Sequence, residues 1–361
     1  MQRSTTELTP QTKFYYTGLV VPSLKLGPKT TRDLSLDFLK GTAVIFMIAT
    51  HVNAFFYDGR LPLLNFWTWW GATICFVTFV LTYGIGYGNR LARGPLNRRD
   101  SLKRLATLLA GYWVVAAWVY WVWFGNPPTW SGFLKIFIFQ EVPAFTEFIL
   151  AFFFYGILLL VFERWISSAL RRIWILPAVG LISYITSQIL YSIPVGNYYL
   201  ANLKSLLVGN LDWNRWGILS YFIVFSFGLT FGYHLLESNR RRAWQIGLFA
   251  VSSFIVLLLS QAGFYSERWP PSVLYLAWGL AYSFGALVAW DTVLARVRRI
   301  LIPIANIGRF ALDYFIVHTI LVVTFADLIG YRRLEAGPTM AILFSVISVN
   351  YLISHLIRRS P

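Results

Sequence analysis

Residues 36–52 read "LDFLKGTAVIFMIATHV". The run is apolar enough to cross a bilayer as a helix, yet it carries Asp37, Lys40 and His51. Ionisable side chains are costly in hydrocarbon, and a spanning helix that keeps them usually turns them toward a cavity or a partner inside the bundle. Helical geometry orders these three. Lys40 and His51 are eleven residues apart, close to three turns, so they project from nearly the same face, about 16 Å apart along the axis. Asp37 precedes Lys40 by three residues and is placed to pair with it.

The surrounding chain repeats the apolar pattern. Its 361 residues are 57% hydrophobic and 13% charged, against roughly a quarter charged in soluble proteins, and the mean hydropathy is +0.59. Apolar segments near the bilayer-crossing length fall at 36–56, 65–87, 104–124, 144–163, 173–193, 217–236, 244–262, 273–293, 310–330 and 339–357. The short alternating segments of a β-barrel are missing. The expectation is an all-α integral membrane protein with ten transmembrane helices, divided into a basic tail (1–35) and a ten-helix domain (36–357). The stretch "FLKIFIFQEVP" (133–143) is too short to span alone, and suits an interfacial helix or the start of the fourth span.

The formal net charge of +16 raises nucleic acid as a partner, but the cations cluster in short segments between apolar runs. Counted on alternating sides, 22 of the 31 Lys and Arg fall on the side of the N-terminus and 7 on the other, with Lys40 and Arg309 at or within spans. That bias follows the positive-inside rule. It predicts both termini in the cytoplasm, a multi-pass protein of the plasma membrane, and no nucleic-acid partner. The polar first dozen residues do not resemble a cleaved signal peptide. Cys75, the one cysteine, sits inside an apolar run and reads as a packing residue. No metal-ligand spacing, phosphate loop or dinucleotide fingerprint is found.

A cation near the inner end of the first helix and an imidazole in its outer half suit a long donor with an anionic head and a reactive tail. Acyl-coenzyme A is such a molecule, used as a co-substrate and not as a bound cofactor. Its phosphates would meet inner-side cations while its pantetheine arm enters the bundle, and a neutral histidine could act as general base on an acceptor hydroxyl. The bland alternative is that Lys40 snorkels and His51 bonds a neighbouring helix. The face alone leaves both readings open.

The same stretch resembles the first helix of the membrane-bound acyltransferase 3 family, whose signature is Arg or Lys, ten residues, then His. Lys40 and His51 match it, as do Asp37 and Gly41. A second stretch, "ANIGRFALDYFIVHTIL" (305–321), is similar to a family segment built on Gly, Ser, Tyr and His: Gly308, Tyr314 and His318 fit, with Ala311 where serine is usual. In "FVLTYG" (79–84), Thr82 stands for the family's serine and Tyr83–Gly84 are in reversed order. The opening is shared with transmembrane acyltransferases of the heparan glucosaminide N-acetyltransferase and glucan succinyltransferase types. The resemblance implies a ten-helix fold, a catalytic His51 acting as base or transient acyl carrier, and Lys40 with Asp37 on the acyl-donor side.

Several other polar residues lie in or beside the apolar runs. Glu147 opens the fourth span and is read either as a partner of His51 or acceptor, or as an interfacial carboxylate in water. Arg309 and Asp313, four apart, are expected to pair across one helical turn as a structural ion pair. His318, nine residues beyond Arg309, falls on the opposite face, and a bond to a neighbouring helix is the favoured reading over a place in the site. His234 and His355 are expected at inner interfaces. The aromatic stretches "YWVWFGNPPTW" (120–130) and "DWNRW" (212–216) fit sugar stacking, though an interfacial belt explains them equally.

The function expected from all this is transfer of an acyl group, most simply acetyl, from cytoplasmic acyl-coenzyme A to a hydroxyl of a cell-envelope or exported glycan. A secondary transporter using Lys40, His51, Asp313 and His318 as an intramembrane pathway is the rival. Related halves and interrupted helices, common in transporters, are not evident in the sequence.

Overall fold

The computed structural model describes residues 32–59, 61–126, 129–210, 215–235 and 240–359. Most of the expected basic tail, the start of "DWNRW" and the side chain of His355 lie outside the described residues. The compact unit begins at Leu34, and its described residues form helices without strands, apart from isolated bridges.

In chain order the helices are α1 (Leu34–Phe56), α2 (Pro62–Arg93), α3 (Arg98–Trp118, continued by a wider turn over Val119–Trp123), α4 (Trp130–Phe137), α5 (Glu147–Val161) and α6 (Glu163–Leu170). They continue with α7 (Ile175–Ser192), α8 (Tyr198–Val208), α9 (Ile218–His234), α10 (Arg241–Gln261), α11 (Val273–Asp291), α12 (Arg298–Arg309), α13 (Ala311–Ile329) and α14 (Ala336–Arg359). Among the described residues, eight helices are long and apolar enough to cross a membrane, or nine if α5 and α6, bent by 84°, count as one broken span; α9 is apolar but shorter. The protein is therefore an all-α, multi-pass membrane protein. Its outward faces bear this out: Ile182 on α7, Phe254 on α10 and Phe344 on α14 are 62–65% exposed. Runs of such residues would be an aggregation surface in water, but they match acyl chains.

Three elements differ from the sequence expectation. Residues 133–143 are split between α4 and a loop and do not join α5. The segment after the fifth apolar run contains α8. The basic stretch before residue 310 is not a loop but the amphipathic helix α12, which packs along α1.

Two close helix approaches position everything else. A Cβ on Gly41 would run into the backbone carbonyl of Ile304, and one on Gly308 into the carbonyl of Asp37 and the amide of Gly41. Small residues let helix backbones approach closely in a bilayer, where packing and not water exclusion drives association. The two glycines thus seat α12 on the first turns of α1. The second approach is between α2 and α9: Gly84 and Gly88 face the backbone at Phe225, Gly228 and Leu229, while Gly228 and Gly232 face Leu81, Gly84 and Ile85. The order Tyr83–Gly84 is what this contact uses, because it turns the glycine toward α9 and leaves Tyr83 to donate to the Phe152 carbonyl on α5 (3.1 Å).

Interhelical hydrogen bonds add specificity to this packing. Tyr282 donates to Thr42 (2.6 Å), and Thr78 and Ser283 share a bond of 3.0 Å. At the far end of α1, the segment between α13 and α14 caps the helix: the amides of Arg332 and Leu334 donate to the carbonyls of Phe55 and Phe56 (2.7 and 2.9 Å). These carbonyls have no acceptor role inside the helix and need such donors.

Candidate functional site

α1 runs between two cavities. The first, about 450 Å³, lies toward the N-terminal end of α1 and is lined by Lys40, Arg90, Arg104 and Arg309, with Tyr83, Tyr87 and several apolar side chains. Its described lining contains four cations and no carboxylate. α1, α2, α3 and α12 each contribute one of the four, so the charge is assembled by the tertiary fold. Lys40 Nζ lies 2.8 Å from the Asp37 carboxylate, which is nearly buried while the lysine is partly exposed.

The second cavity, about 300 Å³, lies further along α1 and is lined by His51, Thr50, Cys75, Glu147, Arg215, Trp216, Arg268 and Trp269, among others. Met47, Phe148 and Phe315 line both cavities. Phe148 and Phe315 stack with centroids 5.0 Å apart and planes within 6°. These three side chains form the partition between the two spaces.

His51 and His318 meet at the second cavity. His51 Nδ1 lies 2.9 Å from His318 Nε2, and the two rings stack with centroids 5.1 Å apart at 14°. His318 is fully buried on α13. Its Nδ1 lies 2.8 Å from the carbonyl of Tyr314, one turn earlier. A carbonyl can only accept, so His318 Nδ1 carries a proton. With both rings neutral, one assignment follows: His318 Nε2 is a lone pair, and His51 Nδ1–H donates to it. His51 Nε2 is then left without a proton, as a lone pair able to take one up. A ring nitrogen set by the bond that the other nitrogen makes is how histidine tautomers are generally chosen. The edge of Phe145 packs on His51 (5.4 Å) and that of Phe315 on His318 (5.5 Å).

His318 bonds a neighbouring helix, as expected, and the side chain it bonds is His51, which brings it to the second cavity. Glu147 is 3% exposed and lines the second cavity, which corrects its reading as a carboxylate in water. The expectation that Arg309 and Asp313 face each other across one turn rested on a continuous helix. α12 ends at Arg309 and α13 begins at Ala311, with Phe310 (φ −124°, ψ 30°) between them. Arg309 faces the first cavity and lies over the Phe310 ring (4.9 Å). Tyr314 is buried and enters through its backbone carbonyl. Cys75 packs as expected, with its thiol donating to the Ala43 carbonyl (3.2 Å). His234 is held by the Leu170 carbonyl (2.5 Å) and lines neither cavity.

Arg90 and Arg104 at the first cavity, and Arg215, Arg268 and Trp269 at the second, are site residues that the sequence does not single out. In the sequence they count only as loop or helix-end cations and belt aromatics. The one available signal is the alternation of arginine with tryptophan in "NRW" (214–216) and "ERW" (267–269), which places an arginine beside a ring on two separate loops. No protein-family model and no curated protein matches this chain.

Proposed function

We propose that this protein is an integral membrane O-acyltransferase that moves an acyl group, most simply acetyl, from acyl-coenzyme A to a hydroxyl of an envelope or exported glycan. One observation carries the reading: a cavity of four cations and a cavity holding a histidine base lie end to end along α1, separated by three side chains.

In this reading the first cavity opens to the cytoplasm, where Lys40, Arg90, Arg104 and Arg309 meet the phosphates of the donor. Arginine and lysine are the usual partners of phosphate oxygens. The slender pantetheine arm, not the nucleotide, passes Met47, Phe148 and Phe315 and brings the thioester to His51. The acceptor hydroxyl arrives from the other side. His51 Nε2 takes its proton as the oxygen attacks the thioester carbonyl. The C–S bond then breaks, an ester forms, and the coenzyme A thiolate leaves and recovers the proton from His51. His318 holds the His51 tautomer throughout and compensates the imidazolium by accepting from its Nδ1–H. The resemblance of "LDFLKGTAVIFMIATHV" to the acyltransferase 3 family supports the same assignment.

The topology that goes with this function is ten spans, with α5–α6 and the shorter α9 both counted, and both termini in the cytoplasm of a plasma-membrane protein. Reporter fusions at 129, 205 and 268 should all read outside, and a cytoplasmic signal at 205 would reject it. The chemical test uses purified protein, labelled acetyl-coenzyme A and envelope glycans. His51→Gln keeps a hydrogen bond but takes up no proton, so transfer should fall by about 10²- to 10⁴-fold. Near wild-type transfer by an inserted His51→Gln protein would remove the base.

A closed partition between two cavities is also what an alternating-access transporter presents. Counter-flow in proteoliposomes separates the two: a transporter moves solute without consuming acetyl-coenzyme A.

A further inference from the structure

The described lining of the second cavity carries two guanidiniums, Arg215 and Arg268, and one carboxylate, Glu147. His51 lines the same cavity. Both arginines lie over the ring of Trp269, at 5.1 and 4.5 Å from its centroid. The indole Nε1 of Trp269 is buried with no acceptor among the described residues.

The side chain of Arg268 is not what anchors its loop. The loop carrying Arg268 is held by its backbone: Tyr221 donates to the Arg268 carbonyl (2.8 Å) and Tyr184 to that of Pro271 (2.9 Å). The Arg268 guanidinium is thus presented by a fixed main chain. Two guanidiniums are thus gathered at one indole, beside a buried N–H donor, in a cavity whose described lining has a single carboxylate. An anion entering this end of the cavity would meet all three donors. Guanidinium forks match carboxylate and phosphate oxygens, and an indole N–H is a donor that such oxygens can use.

We propose that the second cavity binds an anionic group, a carboxylate or a phosphate ester, between Arg215 and Arg268 on Trp269. Its ligand is accordingly an acidic acceptor whose neighbouring hydroxyl is turned toward His51. That the ligand is the acceptor rests on the acyltransferase reading; the anion site itself does not.

The test is equilibrium binding to full-length protein in detergent, followed by saturation-transfer NMR. The probes are glucuronate, its neutral methyl ester, and a short polyprenyl-phosphate sugar. At least one anionic probe should bind roughly ten- to a hundredfold more tightly than the ester, the strength of one charge-assisted contact. Arg268→Gln should bring it down to the level of the ester, whereas Arg268→Lys, which keeps the charge, should retain part of the preference. A sugar-carboxylate source is assigned if glucuronate shows the effect, and a lipid-carrier source if the polyprenyl phosphate alone does. Equal binding of charged and neutral probes, or a preference that survives in the Arg215→Gln/Arg268→Gln double variant, overturns the proposal. Labelled acetyl-coenzyme A then separates the two readings. Arginine-dependent anion binding with no acyl transfer to any acceptor removes the enzyme and leaves the anion site. Transfer that ignores acceptor charge removes the acidic acceptor and leaves the enzyme, while the anion site stands or falls on the binding measurement.

Discussion

Replacing His318 by phenylalanine isolates what the second histidine contributes. His318 is fully buried and stacked on His51 at 14°, so a phenyl ring keeps the packing and removes both nitrogens. The Tyr314 carbonyl then loses a side-chain donor, and His51 Nδ1–H loses its acceptor at 2.9 Å. A buried donor left without an acceptor costs about 1–3 kcal/mol, and that cost falls on the one tautomer in which His51 Nε2 is bare. Each 1.4 kcal/mol is tenfold in population, so the reactive tautomer should become roughly ten- to a hundredfold rarer. The loss in kcat for acetyl transfer should be of that order, smaller than the loss in His51→Gln, with the KM for acetyl-coenzyme A unchanged because the donor phosphates bind in the other cavity. His318→Gln places an amide oxygen near the former Nε2 position and should recover part of the rate. Unaltered kcat in a correctly inserted His318→Phe protein would refute the tautomer argument, because His51 would then need no acceptor at Nδ1.

Three further perturbations follow from the same geometry. Lys40→Ala should raise the KM for the acyl donor with little change in kcat, since the cation contributes binding and not chemistry; Lys40→Arg should partly restore it, and an unchanged KM in the alanine variant would sever Lys40 from the donor. Gly308→Ala should destabilise the protein by roughly 1–3 kcal/mol, the usual cost of overpacking, because its methyl group meets the backbone of Asp37 and Gly41; thermal unfolding in detergent reads this, and an unshifted midpoint would mean that α1 and α12 are not in backbone contact. Phe148→Ala opens the partition between the cavities and should speed acceptor-independent hydrolysis of acetyl-coenzyme A by letting water reach the thioester; a rate equal to wild type would show that the pair Phe148–Phe315 does not separate donor from solvent.

What could be read in the sequence, and what could not, divides along a physical line. Whether a segment is helical and lipid-compatible depends on its own length and hydropathy, so each of the ten apolar segments overlaps a helix, and among the described residues eight of these helices are long and apolar enough to cross a membrane. The relation of Asp37, Lys40 and His51 is equally local, because 3.6 residues per turn decides which side chains share a face. Between Arg309 and Asp313 the rule does not carry over, because Phe310 interrupts the helix and the periodicity by itself no longer relates the two side chains.

The site itself was decided by tertiary structure. His51 and His318 are 267 residues apart, and no repeat within either helix encodes their contact at 2.9 Å. It depends on how α13 is seated, following α12, whose own place against α1 rests on the close approach at Gly41 and Gly308. The same holds for Arg215 and Arg268, which along the chain are two loop cations among several, and which share Trp269 only because their loops converge over the second cavity. Glu147, at the start of a helix, reads in the sequence either as a site residue or as a solvated carboxylate, and only the fold shows that it is buried and shares a cavity with residues of the loops before α9 and α11. Sequence periodicity describes a helix relative to its own axis. Distances between axes are determined by packing of side chains and glycine faces from different parts of the chain, and the chemistry of this protein lies in those distances.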